Sequence, residues 1–257
     1  MSSADGAEVY NPARNVSLEN QIDTLNTSEE MNPKSSEWIM VWKQIRHYFG
    51  EIGMIVPSSR ALAKSMALPL KKKQGRKRIL EVGPGTGPMT KQILKYLGDE
   101  DEFVICEINP VFLAKLKENL DEDPNYHKHK HNVTFFEGPV QDLKITDISC
   151  KFDVIVSTLP FLNFDPQTVE EILALYYEFL NGHGVLTFCE YLGIRKLTKT
   201  FALSTRRERM KRVDKVLRRW SDKLSRSGSV NTRTSYLNFP PARTIEFDYR
   251  SRAQRSA

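Results

Sequence analysis

The sequence predicts an α/β domain with a mostly parallel central sheet, closed at one edge by an antiparallel hairpin and covered by helices on both faces. Three observations carry that expectation. From Arg78 onward, short β-branched runs alternate with helical segments at βαβ spacing. A glycine-rich turn, Gly83-Pro-Gly85-Thr-Gly87, separates the first such run from the helix after it. Near the end, two strand-like runs flank Pro240-Pro241-Ala242, a turn suited to an antiparallel return.

Taken in order, residues 1–35 are rich in Ser, Asn, Glu and Asp and have too few large apolar side chains to offset ordering entropy, so a disordered leader is expected. The folded domain is expected over 36–257. It opens with a helix over 36–50, where Trp38, Ile39, Trp42, Ile45, Tyr48 and Phe49 fall at helical spacing behind Ser36 and Glu37. Two tryptophans on one stripe require a buried or interfacial home, either across the domain or at a membrane surface. Strands are then expected over 78–82, 103–106, 133–136, 153–157 and 184–190, with helices over 89–96, 110–120 and 167–180. A basic helix over 199–226 precedes the hairpin strands 232–239 and 244–249.

The chain has 257 residues, 40% hydrophobic and 27% charged, a core-forming balance with no apolar run near the roughly 20 residues of a membrane span. The polar start Met1-Ser-Ser-Ala-Asp lacks signal-peptide character, so a cytoplasmic location is expected. Cys106, Cys150 and Cys189 lie far apart without a C-x-x-C pair, which argues against a disulfide framework or a cysteine zinc site. His127, His129 and His131 would share one side of an extended segment, but the interleaved lysines repel a cation, so a solvated loop and no metal are expected.

Net charge is +6, and residues 195–226 hold thirteen Lys/Arg against Glu208, Asp214 and Asp222, a local +10 that leaves −4 for the rest. Within that strip Val213, Val216, Leu217, Trp220 and Leu224 form an apolar stripe beside Lys211, Arg212, Lys215, Arg218, Arg219 and Lys223. Three readings remain open: a helix covering the sheet with its stripe in the core, a helix docking on an anionic membrane, or a nucleic-acid surface.

The glycine turn comes with two acids. Glu107 ends the next strand, where a carboxylate can bind both ribose hydroxyls of a nucleoside. Glu81 stands two residues before Gly83, where it would repel a dinucleotide pyrophosphate and suit a cationic ammonium. S-adenosylmethionine, whose methionyl end carries one, fits.

The run Ile79-Leu-Glu81-Val-Gly83-Pro-Gly85-Thr-Gly87, the acid in Cys106-Glu107-Ile-Asn-Pro and the strand end Phe152-Asp-Val-Ile-Val-Ser157-Thr158-Leu159-Pro160-Phe161 resemble successive motifs of class I S-adenosylmethionine-dependent methyltransferases. The resemblance implies a Rossmann-like fold, with Glu81, Gly83, Gly85 and Gly87 around the methionyl and ribose portions and Glu107 on the ribose. It places Ser157 at the cofactor and the loop Thr158-Leu159-Pro160-Phe161 before the transferred methyl. Glu137 to Asp142 would border the adenine; Pro139 departs from the Gly-Asp-Ala of many relatives, leaving the adenine-reading acid open between Glu137 and Asp142.

Further runs, Ile55-Val-Pro57-Ser-Ser-Arg60-Ala-Leu-Ala63, Leu159-Pro-Phe-Leu-Asn-Phe164, Glu190-Tyr191-Leu-Gly193 and Asn238-Phe-Pro-Pro-Ala-Arg243, resemble bacterial phospholipid N-methyltransferases and the related ornithine-lipid enzymes from about Trp38 to Tyr249. That resemblance implies an amine headgroup as acceptor and peripheral docking on the inner face of the cytoplasmic membrane, with Trp38, Trp42, Arg218, Arg219 and Trp220 as contacts. Tyr191 is expected to position the acceptor, with Glu190, His47 and Tyr48 as neighbours; Trp42, Phe161, Phe164 and Tyr191 could enclose a methylated ammonium. The alternative is an RNA adenine dimethyltransferase relative. Such enzymes have Asn where this chain has Thr158, because the Asn carbonyl accepts the amine's hydrogen bond.

Overall fold

The computed structural model describes residues 60–143, 151–191, 204–236 and 241–249. The leader (1–35), the expected helix over 36–50 with Trp38 and Trp42, and positions 199–203 of the basic helix lie outside the described residues. In chain order the elements are α1 (Arg60–Met66), α2 (Leu68–Lys72), β1 (Arg78–Val82), α3 (Pro88–Leu94), β2 (Glu102–Glu107), α4 (Pro110–Asp121), α5 (Pro124–His129) and β3 (Val133–Glu137). They continue with β4 (Phe152–Ser157), α6 (Pro166–Phe179), β5 (Leu180–Tyr191), α7 (Ser204–Ser227), β6 (Gly228–Ser235) and β7 (Ala242–Tyr249).

Seven strands form one sheet in the order β3-β2-β1-β4-β5-β7-β6. Strands β1 to β5 pair in parallel, and β7 lies antiparallel to both β5 and β6. The expected hairpin therefore closes the edge, with its second strand on the inside. Its first strand starts at Gly228 rather than 232, because register with β7 extends pairing back to Tyr249.

Alternate residues of the central strands point to opposite faces, and both are covered. Ile79, Phe103, Ile105 and Val154 pack with side chains of α1, α3 and α4, whereas Leu80, Val104 and Ile155 pack with α6 and α7. Four helices start with proline at the first turn, after Gly87, Asn109, Asp123 and Asp165. The missing N–H of proline costs nothing there, and the Asn109 side-chain oxygen accepts from the N–H groups of Val111 and Phe112.

Two sequence expectations change. The histidine segment is helical rather than extended: α5 and a 3-10 turn at Lys130–Asn132 carry it, and His129 is buried. The Asp123-Pro124 cap and N1 pair starts that helix. The stripe of α7 belongs to the core, so Trp220 faces inward and not a bilayer surface. It is 5% exposed, with its ring 6.2 Å from Tyr177. The basic residues beside the stripe, including Arg218 and Arg219, are exposed; Arg219 pairs with Glu170 of α6. Among the described residues no helix is long and apolar enough to cross a membrane.

One interaction at the amino edge of the sheet left no sequence signal. Asp101 accepts from the backbone N–H groups of Lys77 and Gly98, each at 2.7 Å, and its carboxylate lies 2.9 Å from the Lys77 ammonium. Both side chains are buried, so removing one strands the other charge. Asp101→Ala is expected to lower unfolding free energy by about 3 kcal/mol or more, read from the urea midpoint. A loss below 1 kcal/mol would mean that water reaches the ammonium.

Candidate active site

The carboxyl ends of β1, β2 and β4 meet beneath the glycine turn. Gly83, Gly85 and Gly87 all have positive φ, at 74°, 58° and 95°, which other residues rarely adopt. The Gly83 N–H donates to the Cys106 carbonyl at 2.9 Å, and the Thr158 N–H to the Val82 carbonyl at 3.0 Å. The Thr158 hydroxyl donates to the Gly83 carbonyl and so ties the loop after β4 to the turn. The φ of 95° favours glycine at the last position, where a Cβ would also lie 2.4 Å from the end of the Leu116 side chain of α4 and push it aside. Asn119, also on α4, donates its amide to the Thr86 carbonyl at 2.9 Å. The sequence reading missed Asn119, because nothing in local spacing links it to a turn 33 positions earlier.

Glu107 is 1% exposed and accepts from the N–H groups of Gly85 at 3.1 Å and Asn109 at 2.9 Å, one on each oxygen. Burial raises its pKa, and these backbone donors offset part of the rise. Each oxygen keeps a further acceptor site for a hydroxyl.

Glu81 is fully buried, and neither carboxylate oxygen has a hydrogen-bond partner. Burial pushes its pKa up to about 8; the Thr90 hydroxyl opposes the shift without reaching hydrogen-bond geometry, and the Glu107 charge adds to it. An orphaned buried carboxyl beside a glycine turn fits a ligand bearing an ammonium group, which would favour the ionised form. That ionisation gives a pH signature. Because the folded-state pKa lies above 4.5, the cofactor-free protein loses stability as pH rises from about 4.5 towards 8, where Glu81 must ionise without a partner. Binding of a cation gains by the same amount. Affinity for S-adenosylmethionine is expected to climb close to tenfold per pH unit between about pH 6 and 7.5, with nearly one proton released per site at pH 7. Calorimetry in two buffers of different ionisation enthalpy reads that proton. In Glu81→Gln the release should vanish; a release that persists would place the titrating group elsewhere.

A cleft of about 30 Å³ runs from Gly83 and Glu107 past Ile108, Pro139 and Gln141 to Leu159. Of the two acids left open for adenine, Glu137 and Asp142 are both exposed, Asp142 at the end of the 3-10 turn Val140–Asp142; the half-buried Gln141, between them, lines the cleft. Ser157 is fully buried, accepting from the Tyr176 hydroxyl at 3.0 Å and the Leu159 N–H at 3.4 Å, so it shapes the loop from beneath.

In the loop itself, Leu159 walls the cleft and Pro160 is half-buried. Phe161 is 3% exposed, edge-on to Phe188 at 5.5 Å and Phe164 at 6.5 Å. Both Phe161 and Phe164 are core, and the expected enclosure of an ammonium by them is corrected. Tyr191 ends β5 opposite Ala242. Among the described residues no group of three or more His, Cys, Asp or Glu could hold a metal ion. The site can therefore bind and orient a nucleoside-bearing cation, with an apolar wall that excludes water.

Residues 79–184 match the family model described as a methyltransferase domain. Among solved structures, the chain is similar to the O-methyltransferase TomG from Streptomyces achromogenes, in complex with SAM, at 13% identity and a TM-score of 0.56 over 90% of this chain and 96% of that one. It is also similar to the O-methyltransferase from Bacillus cereus, in complex with SAH, at 12% identity and a TM-score of 0.54 over 90% and 97%. The fold is the Rossmann-like fold of class I methyltransferases.

Proposed function

We propose that this chain, a methyltransferase by its fold and matched domain, moves a methyl group from S-adenosylmethionine to the amine headgroup of a membrane lipid, phosphatidylethanolamine or an ornithine lipid. The bound cofactor supplies an electrophilic methyl on a sulfonium. The chain's residues supply the rest: Glu81 balances the ammonium, Glu107 takes the ribose hydroxyls, and Leu159 keeps water from the cleft. The headgroup amine is mostly protonated at neutral pH and must give that proton to water or to a base on entering the site; the neutral amine then needs orientation and dehydration for an in-line displacement.

The observation that carries the lipid reading is the exposed cationic face of α7. Lys211, Arg212, Lys215 and Arg218 are exposed on a helix that packs against the Phe161–Asn163 turn, beside the carboxyl edge where an acceptor arrives. Each basic residue near an anionic surface contributes roughly 1 kcal/mol to docking. Sequence runs resembling lipid N-methyltransferases from Trp38 to Tyr249 point the same way. Docking would be peripheral, at the inner face of the cytoplasmic membrane. An RNA acceptor would use the same charges, but position 158 carries a hydroxyl, held to the Gly83 carbonyl, in place of the Asn amide that such enzymes have there.

The test offers the full chain vesicles of phosphatidylethanolamine with and without phosphatidylglycerol. N-methylated headgroups should form faster on the anionic vesicles, and added salt should remove the difference. Methyl transfer to catechol-type hydroxyls with none to the lipid amine would assign O-methylation instead.

A further inference from the structure

Between α7 and the strands β5, β7 and β6 lies a cavity of about 250 Å³, far larger than the cleft at the glycine turn. Protein interiors leave few voids larger than a water; this one is partly open to solvent and lined by polar as well as apolar side chains. The shape is polarised. Glu190 and Arg243 are register partners at the carboxyl end of β5, and Asp214 and Arg218 stand nearby on α7. Deeper, towards the amino end of β5, the walls are Leu224, Val230 and Phe247. The carboxyl-edge end thus carries the exposed Arg218 and Arg243 together with the carboxylates of Glu190 and Asp214, the other end is mainly apolar, and Ser221 and Thr232 also line the space.

One further fact ties the cavity to the reaction. Phe188 lines it and touches Phe161, on the loop after β4, at 5.5 Å between ring centroids. Trp220 forms part of the wall, with the Lys223 ammonium over its ring.

We infer that this cavity receives an acyl chain of the lipid acceptor, with Arg218 and Arg243 at its mouth meeting the headgroup phosphate or carboxylate. The inference rests on the lipid reading above and adds where the chain goes. A tail held there leaves the headgroup at the carboxyl edge, next to the loop that faces the cleft.

The probe is a lysophosphatidylethanolamine below its micelle concentration, titrated calorimetrically into the full chain. Wild type should bind one molecule saturably. Val230→Phe, which fills the cavity, should weaken binding at least about tenfold with S-adenosylmethionine affinity unchanged, which also shows that the variant is folded. Trp220→Phe, which removes only the N–H and part of the ring, should weaken it severalfold. Equal affinity in all three proteins overturns the inference. If Val230→Phe methylates phosphatidylethanolamine with unchanged KM, the cavity assignment falls and the lipid reading stands. If the variant loses chain binding while wild type methylates no lipid, the acyl-chain site stands and the lipid-methylation reading falls.

Discussion

Gly83→Arg is expected to abolish S-adenosylmethionine binding, with affinity falling beyond the reach of calorimetry, while the domain stays folded. The glycine has φ of 74°, and even a Cβ there would lie 2.7 Å from the Leu159 side chain, on the wall of the cleft. A full arginine side chain would occupy the space between Leu159 and Glu107. The backbone penalty for a non-glycine residue at such φ is about 1–3 kcal/mol, against a total stability of roughly 5–15 kcal/mol for a domain. The melting temperature should therefore drop by several degrees without loss of the cooperative transition. Gly83→Ala separates the two effects: it has the same backbone strain but only displaces the end of Leu159, so binding should weaken and remain measurable. Normal affinity in the arginine variant would move the cofactor away from the glycine turn.

The second large effect is expected on the membrane side. Reversing Arg212 and Lys215 to Glu changes four units of charge on the exposed face of α7, away from the stripe that holds the helix on the sheet. At roughly 1 kcal/mol per charge, binding to phosphatidylglycerol vesicles should fall by two to three orders of magnitude at low salt and by less at 0.15 M. Neither side chain lines the cleft, so cofactor affinity should hold. Vesicle sedimentation reads the first quantity and calorimetry the second. Unchanged sedimentation would assign docking to another segment.

The fold was legible because its signals are local. Parallel strands buried on both faces need nearly continuous apolar runs such as Ile79-Leu80 and Phe103-Val-Ile105, and the turns into α3, α4, α5 and α6 each carry a proline. The cluster at the carboxyl ends of β1 and β2 was legible for the same reason: Glu81, the glycines and Glu107 report themselves by spacing. What the sequence withheld depends on partners distant in the chain. The stripe of α7 would serve a bilayer or a sheet equally well, and only its packing against Tyr177 and the sheet decides that Trp220 faces inward. Phe161 looked available as a ligand contact until Phe188, on the next strand, was found edge-on to it. The Thr158 hydroxyl was likewise weighed for its chemistry, but its bond to Gly83 gives it a structural task. The Lys77 and Asp101 pair joins the start of β1 to the turn before β2 with no motif at all. In the histidine segment the local signal existed, as Asp123-Pro124, and the alternation of His and Lys concealed it.

The central claim is that the methyl goes to a lipid amine. Labelled methyl from S-adenosylmethionine, offered in one reaction to a total lipid extract and to total RNA, tests it most directly once the products are separated by chromatography. The account predicts label in the lipid phase, migrating as an N-methylated headgroup. Label in RNA alone would contradict it and assign the exposed cations of α7 to nucleic acid.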